Sequence, residues 1–305
     1  MKSEIEIHCI KLTGIALALS VFSATSIQAS TIWGNSASSG NVNLEAFDST
    51  TGLLITGQQF LVPNLTARKD NGRGIAVSGN TIYYTTANSG NIYVTDTVSH
   101  ADLGILVNTG FSGIANVATD GNFIYANNYQ SNTGIINKYN FDGTLAGTVT
   151  IGVGFGGRDG FEVQNNSNID GGATTFISNR GDLTGPYDVY KSDGSLLISS
   201  FINPLADGFG NNVTGIAYDG INYFVSDIFN NRLLEYSGTG TFLMAIDLSG
   251  NENLFTRRLL EDLSAVGNTI DNPPPNAVPI PAALPLMSSA LGLFGFGAMR
   301  RRNKS

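Results

Sequence analysis

Between Ser30 and Leu254 apolar positions come in short runs, not in helical stripes. Thr81-Ile-Tyr-Tyr-Thr-Thr86 is followed by the polar break Asn88-Ser-Gly-Asn91, then by Ile92-Tyr-Val-Thr95 and Leu103-Gly-Ile-Leu-Val107. Runs of this kind, rich in β-branched and aromatic residues and bounded by Asn and Gly, predict strands and hairpins. The branched side chains fit a pleated surface, and Gly or Asn accepts the positive φ of a tight turn. No comparably long 3.6-residue period occurs in this stretch, so no helical layer is expected.

The pattern repeats. Gly74-Ile-Ala-Val-Ser-Gly-Asn-Thr-Ile82 is matched by Gly113-Ile-Ala-Asn-Val-Ala-Thr-Asp-Gly-Asn-Phe-Ile124, Gly160-Phe-Glu-Val163, Gly215-Ile-Ala-Tyr-Asp-Gly-Ile-Asn-Tyr223 and Leu263-Ser-Ala-Val-Gly-Asn-Thr-Ile270. Successive starts at 74, 113, 160 and 215 are 39, 47 and 55 residues apart. Such periods suit one four-stranded propeller blade per repeat. The last copy breaks off after its innermost strand. Thr31-Ile-Trp33 and Ser38-Ser-Gly-Asn-Val-Asn43 begin where it stops, resembling Thr81-Ile-Tyr83 and Asn88-Ser-Gly-Asn-Ile-Tyr93. The two ends are expected to share one composite blade that closes the ring and hides two sheet edges. The fold expected is an all-β propeller of five blades; six would require further strands within 160–214.

Composition narrows the chemistry. Of 305 residues only 13% are charged, and 37 are Gly, against roughly 25% charged in ordinary soluble domains. Cysteine occurs once, at Cys9, and histidine at His8 and His100. Lys11, the apolar run Gly14–Phe22 and the small-residue end Ile27-Gln28-Ala29 form a secretory signal, with cleavage expected after Ala29. Its removal leaves no thiol and one histidine. Disulfides, Cys nucleophiles and multi-His or Cys metal sites are thereby excluded. From Ser30 to Val278, 10 Lys+Arg stand against 22 Asp+Glu, a balance of −12 that would repel a phosphate backbone, so no nucleic-acid partner is expected.

The C-terminal end carries a second targeting pattern. A stiff linker, Asp271-Asn-Pro-Pro-Pro-Asn-Ala277, leads into 22 uncharged residues, Val278 to Met299, about one bilayer crossing. Arg300, Arg301, Arg302 and Lys304 follow, which favours a cytoplasmic C-terminus. The chain is thus divided into a signal segment at 1–29, the propeller at 30–270, a linker at 271–277 and the tail at 278–305. The tail, with Val278-Pro279-Ile280-Pro281-Ala282-Ala283, a Gly-rich apolar helix and the terminal arginines, resembles the PEP-CTERM sorting signal of Gram-negative bacteria in its Val-Pro-x-Pro-Ala form. That resemblance implies recognition by an exosortase, an intermediate anchored in the inner membrane, and delivery to the surface or matrix of exopolysaccharide-producing, biofilm-forming cells. Within the body, Val225-Ser-Asp227, Asn230-Asn-Arg-Leu233, Glu235-Tyr236, Gly238 and Gly240-Thr-Phe-Leu243 resemble an NHL-type propeller repeat. The resemblance implies that Asp227 and Arg232 pin the hairpin between the middle strands.

Propellers usually bind ligands at the channel mouth, where one blade's last strand leads into the next innermost strand. That expectation selects Asp70, Asn71, Arg73, Arg158, Asp159, Asn212, Thr214, Glu261 and Asp262, with Asn211 beside them. Carboxylates, amides and guanidinium groups of this mix would suit a sugar or a hard cation such as Ca2+; Asp, Asn and Gly are also plain turn formers. Gly152-Val-Gly-Phe-Gly-Gly157 is followed by no helix and is not a nucleotide loop. Asn165–Asp170 lacks calcium-loop spacing. His100 is expected at a hairpin tip, without triad partners. Trp33, Tyr83, Tyr93, Tyr125 and Tyr129 are expected between blades, not as stacking platforms. The reading favoured is a non-catalytic binding module meeting exopolysaccharide or surface proteins. The alternative is a lactonase-like hydrolase or polysaccharide lyase with a metal at the mouth.

Overall fold

A computed structural model describes residues 30–37, 43–61, 71–129, 133–152, 157–181, 183–248 and 259–266. The segments expected to be a signal, a linker and a sorting tail, with Val278, Pro279, Pro281, Ala282 and Arg300–Arg302, lie outside the described residues, as does Asp70. Among the described residues no helix is long and apolar enough to cross a membrane.

Among the described residues twenty strands form five four-stranded antiparallel sheets, arranged as the five blades of a propeller. Blade I is composite. Its innermost strand β20 (Leu260–Val266) comes from the C-terminal end, followed outward by β1 (Thr31–Ser36), β2 (Asn43–Asp48) and β3 (Leu54–Leu61). Thr31 stands opposite Val266, and Trp33 opposite Ser264. Blade II runs outward through β4 (Gly72–Ser78), β5 (Thr81–Thr86), β6 (Asn91–Asp96) and β7 (Asp102–Asn108). Blade III is β8 (Ile114–Thr119), β9 (Ile124–Asn128), β10 (Ile135–Tyr139) and β11 (Leu145–Thr150). Blade IV is β12 (Phe161–Gln164), β13 (Thr175–Gly181), β14 (Thr184–Lys191) and β15 (Leu196–Ile202). Blade V is β16 (Val213–Tyr218), β17 (Asn222–Asp227), β18 (Arg232–Ser237) and β19 (Phe242–Asp247). The 160–214 unit thus makes one blade and not two. Its extra length goes into connections such as the 3-10 turn Asp170–Gly172.

Burial follows strand rank. Every residue of β8, β12 and β16 is buried, whereas exposure alternates along the outer strand β7. Each junction between neighbouring blades holds its own apolar cluster, for instance Trp33 and Ala46 against Ile75 and Tyr84, or Tyr125 and Ile136 against Phe161 and Phe176. Five junctions filled in this way, from I–II round to V–I, leave the ring with no open side. Trp33, Tyr83, Tyr93 and Tyr125 are buried in these clusters, as their strand positions predict. Tyr129 instead follows β9 and is half-buried.

Close approach at the axis explains the repeated glycine. A Cβ on Gly215 would lie 2.3 Å from the Asp262 Cα, and one on Gly74 would lie 2.4 Å from the Val117 nitrogen. Only a residue without a side chain lets adjacent inner strands come this near. In blade III the register shifts this equivalence: Asn116, and not Gly113, occupies the position of Gly74.

Candidate functional site

The mouth is built on a bulge that recurs along the ring. In β4, β8, β16 and β20 the pairing with the next strand slips after the first residue or two. A bulge inserts an unpaired residue and re-aims its side chain. The residues so placed are Arg73, Ala115, Thr214 and Glu261, and Asp159 stands just before Gly160 at the matching place in blade IV. Four of the nine residues selected from the sequence therefore share one structural position. Arg73, Thr214, Glu261 and Asp262 lie within inner strands instead of ahead of them. The innermost strand of blade I starts at Leu260, three residues before the repeat start at Leu263, because its first turn of pairing is with Ser36 and Asn35.

These side chains bind the ring together. The Arg73 guanidinium pairs with the Glu261 carboxylate across blades II and I, and lies 5.5 Å from the Tyr129 ring centroid. Asp262 accepts from the Ile75 N–H at 3.0 Å, and Ser264 from the Val77 N–H at 2.9 Å. Asn116 donates to the Asp159 carbonyl at 2.7 Å. Thr214 donates its hydroxyl to the Leu260 carbonyl at 3.1 Å, and the Tyr187 hydroxyl donates to the Thr214 carbonyl. Asp159 accepts from the Asn179 amide and from the Leu183 N–H at 2.8 Å. Arg158 is buried; it donates to the Gly152 carbonyl and to Ser178, with Tyr190 beside it. The cavity next to Arg158 measures about 10 Å3, room for a single water. Asn71 and Asn212 use their backbone carbonyls to hold the N–H groups of Ala87 and Ile228.

A second ring escaped the sequence reading altogether. Asn35, Thr85, Asn127, Asn179 and Ser226 occupy the same register position on the second strand of each blade, and all are buried. Asn35 donates to the Gly74 and Thr85 carbonyls of blade II, at 3.0 and 3.1 Å. Asn127 donates to the Arg158 carbonyl of blade IV at 3.1 Å, and Ser226 to the Leu260 carbonyl of blade I at 2.6 Å. With Thr85, which donates to the Ile114 carbonyl of blade III at 3.4 Å, these groups latch blades I, II, III and V to the entry of the next, whereas in blade IV Asn179 turns to Asp159 and Gly181 of its own blade. A buried carbonyl left unpaired would cost about 1–3 kcal/mol, so the latches satisfy backbone that the bulges release.

Electrostatically the axis is short of solvent. Burial first, and then the neighbouring Glu162, push the Asp262 carboxyl well above 3.8, against the N–H groups of Ile75 and Leu263 and the Asn116 amide. Burial likewise holds Glu162 well above 4.5, opposed by the N–H groups of Val163 and Tyr218. Both carboxyls therefore keep their protons to higher pH than ordinary ones. Among the described residues no group of three or more His, Cys, Asp or Glu side chains is placed to hold a metal. The carboxylates of the mouth serve strand N–H groups and a guanidinium.

The hairpin between β17 and β18 is pinned: Asp227 stands opposite Arg232 and accepts from its Nε at 2.8 Å. Blade IV has the mirror arrangement, Arg180 donating through Nε and Nη2 to Asp188 at 2.7 and 2.6 Å. His100 sits in the hairpin between β6 and β7 with φ 56°.

No family model matches the chain, and no curated protein does so. Among solved structures, a chain of a nidogen/laminin complex is similar at 11% identity, with 79% of this chain and 99% of that chain covered and a TM-score of 0.50. A likeness at that identity is one of fold.

Proposed function

We propose that this protein is an exported, surface-associated propeller that works as a non-catalytic binding module. The observation that supports the reading best is the mouth itself. Arg73 and Glu261 neutralise one another, Asp159 and Asp262 hold backbone N–H groups, and Thr214 closes on Leu260. A propeller hydrolase or lyase would need oxygen ligands converging on a metal at this place, and these groups are turned to structural partners instead. Export and sorting rest on the N-terminal signal pattern and on the PEP-CTERM-like tail from Val278 to Arg302. Exosortase is the processing partner, and the exopolysaccharide of the producing cell is the ligand class. A pull-down of that polysaccharide with the purified chain, calcium present, is expected to retain it on the protein. No retention above a bovine albumin control would sink the binding role, and cell fractionation that found the chain in the cytoplasm would sink the export role.

A further inference from the structure

Between blades III and IV, away from the mouth, the outer strands part into a groove of about 450 Å3. That falls within the roughly 300–1,000 Å3 of small-molecule sites. Its floor carries Lys138, whose ammonium lies 3.6 Å from the Phe123 ring centroid and 5.7 Å from that of Tyr125. Among the described residues no carboxylate stands within ion-pair distance of this lysine. The nearby acid, Asp120, is buried, and its two oxygens are taken by the Tyr125 hydroxyl at 2.8 Å and by the N–H groups of Asn122 and Phe123 at 2.9 Å. The cation is thus the charge that the groove offers to a ligand.

Lys138 is also out of keeping with the repeat. It pairs with Tyr125, and the equivalent position holds Ala46 opposite Trp33, Val94 opposite Tyr83 and Val189 opposite Ile177, all buried, and Glu235 opposite Phe224. Three blades fill the place with apolar packing; this one spends a lysine on it. Opposite Lys138 on β11 stands Gly147, and a Cβ there would meet nothing within 4 Å, so β11 leaves open space beside this position. Phe123 and the buried Phe176 form its apolar side, while Thr148, Thr174 and Ser192 bring hydroxyls to the rim. Apolar ring faces, hydrogen-bonding hydroxyls and one cation are what a sugar ring bearing a carboxylate requires.

We infer that this groove binds an acidic saccharide, with Lys138 on the sugar carboxylate. The inference deepens the binding-module reading and rests on it. The test is calorimetric titration of the full chain with trigalacturonate, beside neutral maltotriose and an acidic hepta-glutamate peptide. Wild type is expected to take trigalacturonate in preference to both, more weakly as salt is raised. Lys138→Met should lose at least about tenfold in affinity, the scale of one lost charge-assisted contact. Lys138→Arg should keep most of it, and Val98→Ala, at the exposed turn between β6 and β7 of blade II, should change nothing. An apolar residue is native at this position in other blades, so Lys138→Met is expected to fold, as circular dichroism would show. Equal binding of maltotriose, tighter binding of the peptide, or unchanged affinity in Lys138→Met would each overturn the assignment. If Lys138→Met still retained the producer's polysaccharide as wild type does, the groove would fall while the binding module stood. If wild type retained none, the module itself would fall.

Discussion

Single residues do two kinds of work here, and each has a measurable consequence. Asn35 is fully buried and supplies two N–H donors to carbonyls of the next blade. Asn35→Ala removes both donors without adding bulk and leaves both carbonyls unpaired, at about 1–3 kcal/mol each. Urea unfolding should show a loss of about 2–5 kcal/mol, and a loss under 1 kcal/mol would mean that water replaces the latch. Glu162 works in the opposite sense. Its folded value lies above the ordinary 4.5, so the folded chain holds the proton that the unfolded chain releases. The associated stability is complete below about pH 4.5 and is lost as pH rises toward the folded value. Glu162→Gln cannot ionise. It should match wild type near pH 4 and melt higher than wild type at pH 8; parallel melting curves across that range would refute the buried-acid account.

At the scale of strands and hairpins, the repeat is held by acids at its outer turns and by glycines at its axis. Asp96 is held below 3.8 by the backbone N–H and then the hydroxyl of Ser99, Asp142 by the hydroxyl and then the N–H of Thr144, and Asp193 in the same way by Ser195. In Asp48 burial pulls upward, but the Thr51 and Thr50 hydrogen bonds outweigh it. What these four turns contribute is present above about pH 3.8 and is lost as pH falls below it, so the hairpins loosen in acid where the axial contribution is already complete. At the axis, Gly74→Ala would force a Cβ to 2.4 Å from the Val117 nitrogen, where backbone must move. It should cost several kcal/mol or prevent soluble expression. Gly147→Ala, where a Cβ meets open space and no positive φ is required, should stay within about 0.5 kcal/mol of wild type by thermal melting. The strands and the axial glycines were legible because period and turn chemistry are local. The latch ring was not: Asn35, Thr85, Asn127, Asn179 and Ser226 differ in type, and each breaks an apolar run like an ordinary strand end. Only the long-range register makes them equivalent. Of the mouth set, Arg73, Asp159, Thr214 and Glu261 were found by their place in the repeat, but the side-chain partners of Arg73, Thr214 and Glu261 lie in neighbouring blades, which spacing along the chain does not reveal.

On the scale of the whole wheel, stability depends on joining the two ends of the described body inside one sheet. β20 is bonded to β1 on one side and carries Asp262 and Ser264 to the N–H groups of Ile75 and Val77 on the other. The C-terminal strand therefore sits between the N-terminal strand and blade II, and the ring cannot open without breaking both contacts. Thr31 and Val266 face one another at the end of this pairing, half-buried and exposed respectively. Opposed residues of antiparallel strands lie about 4.5–5.5 Å apart at Cα, within disulfide reach. In a Cys9→Ser background, Thr31→Cys with Val266→Cys should oxidise to one intramolecular disulfide and migrate faster on a non-reducing gel. The closed loop spans nearly the whole propeller, so the entropy removed from the unfolded chain could contribute up to about 5 kcal/mol. Unfolding of the oxidised form should shift to higher urea and return to the wild-type midpoint on reduction. A pair that stays as free thiols under mild oxidant, or that links chains into dimers, would mean that the ends are apart in solution, and the composite blade would have to be abandoned.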